Sequence, residues 1–248
     1  MINKKENWFA TWFDSPYYHV LYKNRDYKEA ELFITNLVNF LKPKKEDKIL
    51  DLACGAGRHS IFLNGLGHQV TGVDLAANSI EEASKSKNKT LNFDVHDMRE
   101  VYKENEFEFI FNLFTSFGYF ESDEDNIKML QSIEKSLRPN GVFVLDFFNA
   151  TKVIANLVKE EIKTVDNTTF NLKRKVENGY IIKNIDFEAD NKNYAYFEKV
   201  QAVALSDFNQ LFKNTNLELI HTFGNFELEE FNEEKSDRLI LVLQKKQV

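Results

Sequence analysis

The chain has 248 residues, 43% of them hydrophobic and 29% charged, with 23 Phe, 9 Tyr and a formal net charge of −7 at pH 7. That length suits one α/β domain with an elaboration, and its apolar bulk and well-mixed charge exclude a disordered chain. The negative balance argues against a general nucleic-acid grip, and the single Cys excludes a disulfide framework or a cysteine-rich metal site.

The N-terminus lacks a signal-peptide core, and no apolar run approaches the ~20 residues of a membrane span, so a soluble cytoplasmic protein is expected. Asn7 to Arg25 is crowded with aromatics, including Trp8, Trp12, Tyr17, Tyr18 and Tyr22. Such a segment must pack on something, as a lid or as an N-terminal helix. Helical spacing of Ala30, Phe33, Ile34, Leu37, Val38 and Leu41 predicts an amphipathic helix over residues 26–41. A strand is predicted at Lys48 to Leu52, then a glycine turn, a helix to about Leu66, and a strand at Gln69 to Val73 ending at Asp74. A helix from Asn78 to Lys87, capped by Asn78 or Ser79, precedes a strand at Thr90 to Val95. Phe107 to Leu113 reads as a strand, Asp125 to Leu137 as a helix, and Val142 to Phe148 as a strand beyond a turn at Arg138 to Gly141.

Strands alternating with helices predict a doubly wound, mostly parallel sheet whose ligand loops follow the strand ends. The rhythm breaks after Asn149. A short helix around Lys152 to Val158 leads to three β-rich runs: Thr168 to Val176, Tyr180 to Glu188 and Asn193 to Val203. These read as an inserted antiparallel meander. The sheet pattern resumes with a helix at Ser206 to Asn214 and strands at Leu217 to Phe223 and Arg238 to Gln244. The expected division is 1–44 as lid and helix, 45–150 with 206–248 as the sheet domain, and 151–205 as a cap.

The most informative stretch is Ile49 to Ser60. An apolar run ends in Asp51, the backbone turns through Gly55 and Gly57, and a helix-competent segment follows. Gly55 and Gly57 supply a G-x-G, but position 60 is Ser where the dinucleotide fingerprint places a third glycine. Asp51 in the turn would repel a pyrophosphate and welcome a cation. Cys54 reads as a small turn residue rather than a nucleophile. Asp74, 17 residues after Gly57, suits a ribose hydroxyl pair. Asp97, followed by Met98, could accept from an adenine amino group and cover its ring.

With these residues in place, the chain resembles the class I S-adenosylmethionine-dependent methyltransferases over about residues 45–148, and by topology over 206–246. The seven-stranded Rossmann-like sheet with an inserted meander is the fold this implies. Asp51 and the backbone of Gly55 to Gly57 would flank the methionine moiety, with Ala53, Cys54 and Arg58 also expected to bind the cofactor. Asp74 and Leu75 would meet the ribose and adenosine, Asp97 and Met98 the adenine, and Leu113 would lie near the sulfonium, with Phe114 and Ser116 also expected to bind the cofactor. The stretches GRHS, DMR and LFTSFGYF make it look most like an uncharacterised bacterial group. One departure is Glu108 where the family commonly has Asp. Tyr18, Tyr22 and Arg25 are expected lid contacts, with Arg25 toward the methionine carboxylate. His19 in the lid and Tyr119 after the fourth strand are the acid/base or orienting candidates, and no metal is expected.

The turn after the fourth strand lacks the prolines that nucleic-acid amine methyltransferases carry there. Residues 151–205 hold nine Lys/Arg against eight Asp/Glu, which offers phosphates no attraction. The expectation is therefore methyl transfer to O or N of a small metabolite, with nucleic acid disfavoured. An RNA methyltransferase, a non-catalytic S-adenosylmethionine-binding protein and a nicotinamide-dependent oxidoreductase are the rival readings. Antiparallel edges leave homodimer formation open.

Overall fold

In the computed structural model residues 8–23 and 27–247 are described. Two short helices, α1 (Trp8–Phe13) and α2 (Pro16–Leu21), lead to α3 (Tyr27–Leu41). Ser15 caps α2 by accepting from the Tyr17 N–H, and Pro16 takes the first helical position, where its missing N–H costs nothing. Then come β1 (Lys48–Leu52), α4 (Arg58–Gly65), β2 (Gln69–Asp74), α5 (Ala77–Ser84), β3 (Leu91–Val95), β4 (Phe107–Asn112), α6 (Asp123–Ser136) and β5 (Leu137–Phe148). After α7 (Ala150–Ala155) the chain forms β6 (Glu160–Val165), β7 (Thr168–Glu177), β8 (Tyr180–Ala189) and β9 (Lys192–Gln201). It closes with α8 (Leu205–Phe212), β10 (Leu217–Phe223) and β11 (Arg238–Lys245).

Seven strands form one sheet in the order β10-β11-β5-β4-β1-β2-β3, parallel except where β11 pairs antiparallel with β5 and β10. Its central strands are apolar on both sides because helices cover both faces. On one face Met129, Leu130 and Ile133 of α6 and Phe208 of α8 pack against Leu145 and Leu241. On the other, Phe33, Ile34 and Leu37 of α3 join Leu63 of α4, Ile80 of α5 and Val144. This is the Rossmann-like, mostly parallel sheet that the alternation predicts, with β6-β7-β8-β9 forming a separate antiparallel sheet.

Three local expectations are corrected. The meander has four strands; β6 escaped notice because only its final residue, Val165, is buried. Helix α5 begins at Ala77 without a side-chain cap of its own. Its first turn is held from outside: Asp14 accepts from the Asn78 N–H at 3.1 Å and from Asn78 Nδ2 at 2.7 Å. Strand β5 starts at Leu137, which pairs with Phe107 before the register shifts and Val142 pairs with Phe109. The turn residues 138–141 are thus looped out within the ladder, with Asn140 left-handed at φ 62°.

The aromatic N-terminal segment packs on the second sheet. Trp8, Trp12 and Leu21 share a core with Val165, Phe170, Leu172, Ile185 and Phe187. Trp12 Nε1 and the Tyr22 hydroxyl both donate to Glu198 on β9, at 2.8 and 2.6 Å. Tyr17 donates to Asp190 at 2.9 Å, and Lys23 pairs with Asp166.

Candidate functional site

The carboxyl ends of β1, β2, β3 and β4 converge on a cavity of 460 Å³, roofed by α2 and the chain just beyond it. The turn after β1 forms the floor. Ala53 and Gly55 adopt left-handed φ values of 61° and 55°, and Gly57, at φ 79°, starts α4. A Cβ at Gly57 would lie 2.8 Å from the Phe93 ring, so only glycine allows β3 to close against this turn. Cys54 is buried, and its thiol is pushed well above the usual range, first by burial and then by Asp51 and Asp74. It is an inert turn residue.

Asp74 spans the turn. Its two oxygens accept from the Gly55 and Ala76 N–H groups, both at 2.8 Å. Each oxygen keeps a further lone pair for a ligand hydroxyl. Burial raises its carboxyl above the ordinary value despite those backbone donors. Leu75 and Ala76 continue the same wall, with Leu75 largely exposed. At the end of β3, Asp97, Met98 and His96 face the cavity. Burial works against the Asp97 charge, but Arg99 outweighs it and holds the carboxyl below its usual range. Arg99 Nη2 donates to Asp97 Oδ2 at 2.6 Å, and the Arg99 N–H to Oδ1 at 2.9 Å.

After β4 the wall comprises Leu113, Phe114, Thr115, Ser116, Tyr119 and Phe120. Phe114 and Thr115 are consecutive left-handed residues, at φ 60° and 62°. For non-glycine residues that conformation costs roughly 1–2 kcal/mol each. Fully buried Asp146 holds it: Oδ2 accepts from the Phe114 N–H at 2.8 Å, and the Asp146 carbonyl accepts from the Thr115 N–H at 3.0 Å. Arg238 completes the clamp, donating from Nε to Asp146 at 2.8 Å and from Nη2 to the Thr115 hydroxyl at 3.0 Å. The Arg58 guanidinium lies 4.5 Å from the Phe114 ring centroid. From the N-terminal segment come Phe13, Tyr18, exposed His19, Tyr22 and Lys23.

The cavity thus gathers Tyr18, His19, Tyr22, Ala53, Cys54, Gly55, Arg58, Asp74, Leu75, Asp97, Met98, Leu113, Phe114, Ser116 and Tyr119 from the sequence reading. Two expected members are not on its wall. Asp51 is 1% exposed inside the sheet, where Ser60 donates to it at 2.5 Å, and burial pushes its carboxyl up to about 6. Ser60, which broke the dinucleotide pattern, is the fully buried partner of that acid. Gly57 is turned away against Phe93 and Ala83. Arg25 lies outside the described residues. Phe13, Lys23, Ala76, Ser79 and Phe120 also line the cavity, and Arg99 governs Asp97. Only Arg99 left a sequence signal, two residues beyond its acid. Among the described residues no group of three His, Cys, Asp or Glu side chains could hold a metal ion, and no helix is long and apolar enough to cross a membrane.

A seven-stranded sheet of this order, with an acid and a glycine turn at its β1 end and acids ending β2 and β3, defines the Rossmann-like methyltransferase class. The family model described as a methyltransferase domain matches residues 43–211, and the chain belongs to that family. A putative methyltransferase of Bacillus subtilis, YqeM, is 31% identical over 112 residues, covering 44% of this chain and 45% of that protein. A dTDP-3-amino-3,4,6-trideoxy-alpha-D-glucopyranose N,N-dimethyltransferase of Streptomyces venezuelae is 26% identical over 158 residues, covering 61% and 65%. The chain therefore spans less than two thirds of either relative's length. An S-adenosylmethionine-dependent methyltransferase from Clostridium acetobutylicum shares the fold at TM-score 0.78 and 18% identity, covering 96% of this chain and 98% of that one. CalS10, an amino pentose methyltransferase from Micromonospora echinaspora solved with S-adenosylmethionine bound, shares it at TM-score 0.70 and 14% identity, covering 94% and 98%.

Proposed function

We propose that this protein is an S-adenosylmethionine-dependent methyltransferase acting on O or N of a small metabolite. The observation that carries the reading is the cavity itself: strand-end acids, a left-handed glycine turn and an apolar cover on one ligand-sized volume of 460 Å³. The residues fit an adenosyl cofactor. Asp74 would take the ribose hydroxyls, Met98 and Leu75 would flank the base, and Gly55 with Ala53 would admit the methionine portion. Asp97, whose two oxygens each accept from Arg99, would stand beside the adenine edge.

When bound, S-adenosylmethionine supplies a sulfonium methyl group that departs by in-line displacement, which needs alignment more than acid or metal. The clamp on Phe114 and Thr115 fixes the wall where an acceptor would approach, and Tyr18, Tyr22 and Phe13 exclude water from above. Tyr119 after β4 and His19 from the N-terminal segment are the residues assigned to orient an acceptor or move its proton. We assign residues 151–205, together with the N-terminal segment, as the cap. A small acceptor is supported by relatives that are a nucleotide amino-sugar N,N-dimethyltransferase, a glycine/sarcosine N-methyltransferase and a ubiquinone biosynthesis O-methyltransferase.

Calorimetry should show S-adenosylhomocysteine binding and none for NAD(H). Incubation with labelled S-adenosylmethionine and separate metabolite and RNA extracts should label the metabolites. Label confined to RNA would overturn the small-molecule reading, and S-adenosylhomocysteine binding without any turnover would leave a non-catalytic binder.

A further inference from the structure

Behind the wall formed by Phe114, Thr115 and Tyr119 lies a second cavity of 380 Å³, which shares those three residues with the first. Its other sides come from separate elements: Glu29 on α3, Glu198 on β9, Phe148 ending β5 and Phe226 between β10 and β11. Arg238 is present too, but its charge is matched by fully buried Asp146 at 2.8 Å, and its guanidinium lies 5.5 Å from the Phe226 ring centroid. Lys183 offsets Glu198 at 3.4 Å, while among the described residues no cation pairs with Glu29. The lining therefore carries a net negative charge beside the rings of Tyr119 and Phe148, while those of Phe114 and Phe226 stack on each other and already hold Arg58 and Arg238. Carboxylates interleaved with aromatic faces attract a cation and offer a carboxylic or phosphate acceptor only repulsion.

We propose that this second cavity is the acceptor chamber and that it selects a small amine, so that the transfer is N-methylation. The proposal rests on the methyltransferase reading above. The ammonium form docks against Glu29 and the aromatic faces and releases a proton to solvent through the exposed carboxylate. The freed nitrogen lone pair then forms the new N–C bond while the methyl–sulfur bond breaks. That bond's electron pair stays on sulfur, leaving a neutral thioether and a methylammonium product. Thr115 and Tyr119 line both cavities, and the Asp146–Arg238 clamp holds Thr115 in place.

The test supplies labelled S-adenosylmethionine and a deproteinised bacterial metabolite extract to the full chain, then separates products on a cation exchanger. Label should accumulate in retained, basic products. Glu29→Gln should raise KM for the labelled amine about tenfold, and Glu29→Lys should raise it further. Both variants should keep wild-type affinity for S-adenosylhomocysteine, since Glu29 lies off the first cavity. Label in neutral or acidic products, an unchanged KM in both variants, or S-adenosylhomocysteine binding with no labelled product would each overturn the amine assignment. Failure of the wild type to bind S-adenosylhomocysteine would instead overturn the methyltransferase reading beneath it.

Discussion

A Cβ at Gly72 would stand 2.7 Å from the Phe93 ring and 2.8 Å from Cys54 Sγ, so this glycine in β2 sets how closely β3 and the turn after β1 approach one another. Gly72→Ala should destabilise the fold by about 1–3 kcal/mol, as overpacking does, and weaken S-adenosylhomocysteine binding, both measurable by denaturant titration and calorimetry. Asp51 sets a pH dependence. Its folded value of about 6 exceeds the ordinary 3.8, so between these values the folded chain holds a proton that the unfolded chain has released. Stability should therefore fall as pH rises through that window and level off above it, by on the order of 3 kcal/mol from this group. Asp51→Asn removes that dependence, and the difference in unfolding free energy between variant and wild type should change across pH 4 to 6 and nowhere higher. Equal slopes in the two proteins would refute the assignment. The spacing of Asp74 from the glycine turn was readable in the sequence because it follows from one β-α-β unit. The inward turn of Asp51 was not, because it depends on Ser60 reaching back from α4.

Among the elements, α1 and α2 bind two structures at once. They share a core with the second sheet, yet Asp14 between them holds the first turn of α5, three to five residues beyond Asp74. The bond substitutes for a local N-cap, whose loss typically costs about 1 kcal/mol. Asp14→Ala should lower stability by roughly that amount. It should also loosen the cover of the first cavity, seen as faster amide exchange in α2 and the start of α5. Unchanged exchange there would show that the contact does not hold the cover down. Helix and strand positions in the sheet domain followed from apolar periodicity, since buried strands and amphipathic helices leave different periods. Strand β6 left no such period because it is an edge with one buried side chain, and the bulge at 138–141 reads as an ordinary turn in sequence.

At the scale of the whole molecule, two sheets meet through aromatic side chains from distant parts of the chain. Trp12 is 1% exposed and reaches Glu198 across 186 residues of sequence, and Tyr22 and Lys183 join the same carboxylate. Trp12→Ala removes a large buried side chain and a donor to that carboxylate, and should cost about 3–5 kcal/mol in unfolding free energy. Ligand binding stabilises only the folded state, by RT ln(1 + [L]/Kd), so saturating S-adenosylhomocysteine should raise the wild-type melting temperature. Asp74→Ala should largely abolish that rise, because it deletes the acceptor expected for the ribose and unties Gly55 from Ala76. A full ligand-induced rise in this variant would move the ribose site elsewhere.

The order of apolar runs, glycines and strand-end acids by itself determined the doubly wound sheet and the edge that carries the cavity, because each of those signals is local to one β-α unit. The placing of Asp74, Met98 and Leu113 on the cavity at those strand ends was legible for that reason. What only the tertiary structure decided are the contacts that join remote segments: Arg238 on Thr115 across 123 residues, Glu198 under Trp12, and Glu29 beside Phe148 in the second cavity. No periodicity encodes such pairings, since they depend on how the second sheet and the N-terminal helices settle over the ends of the parallel strands.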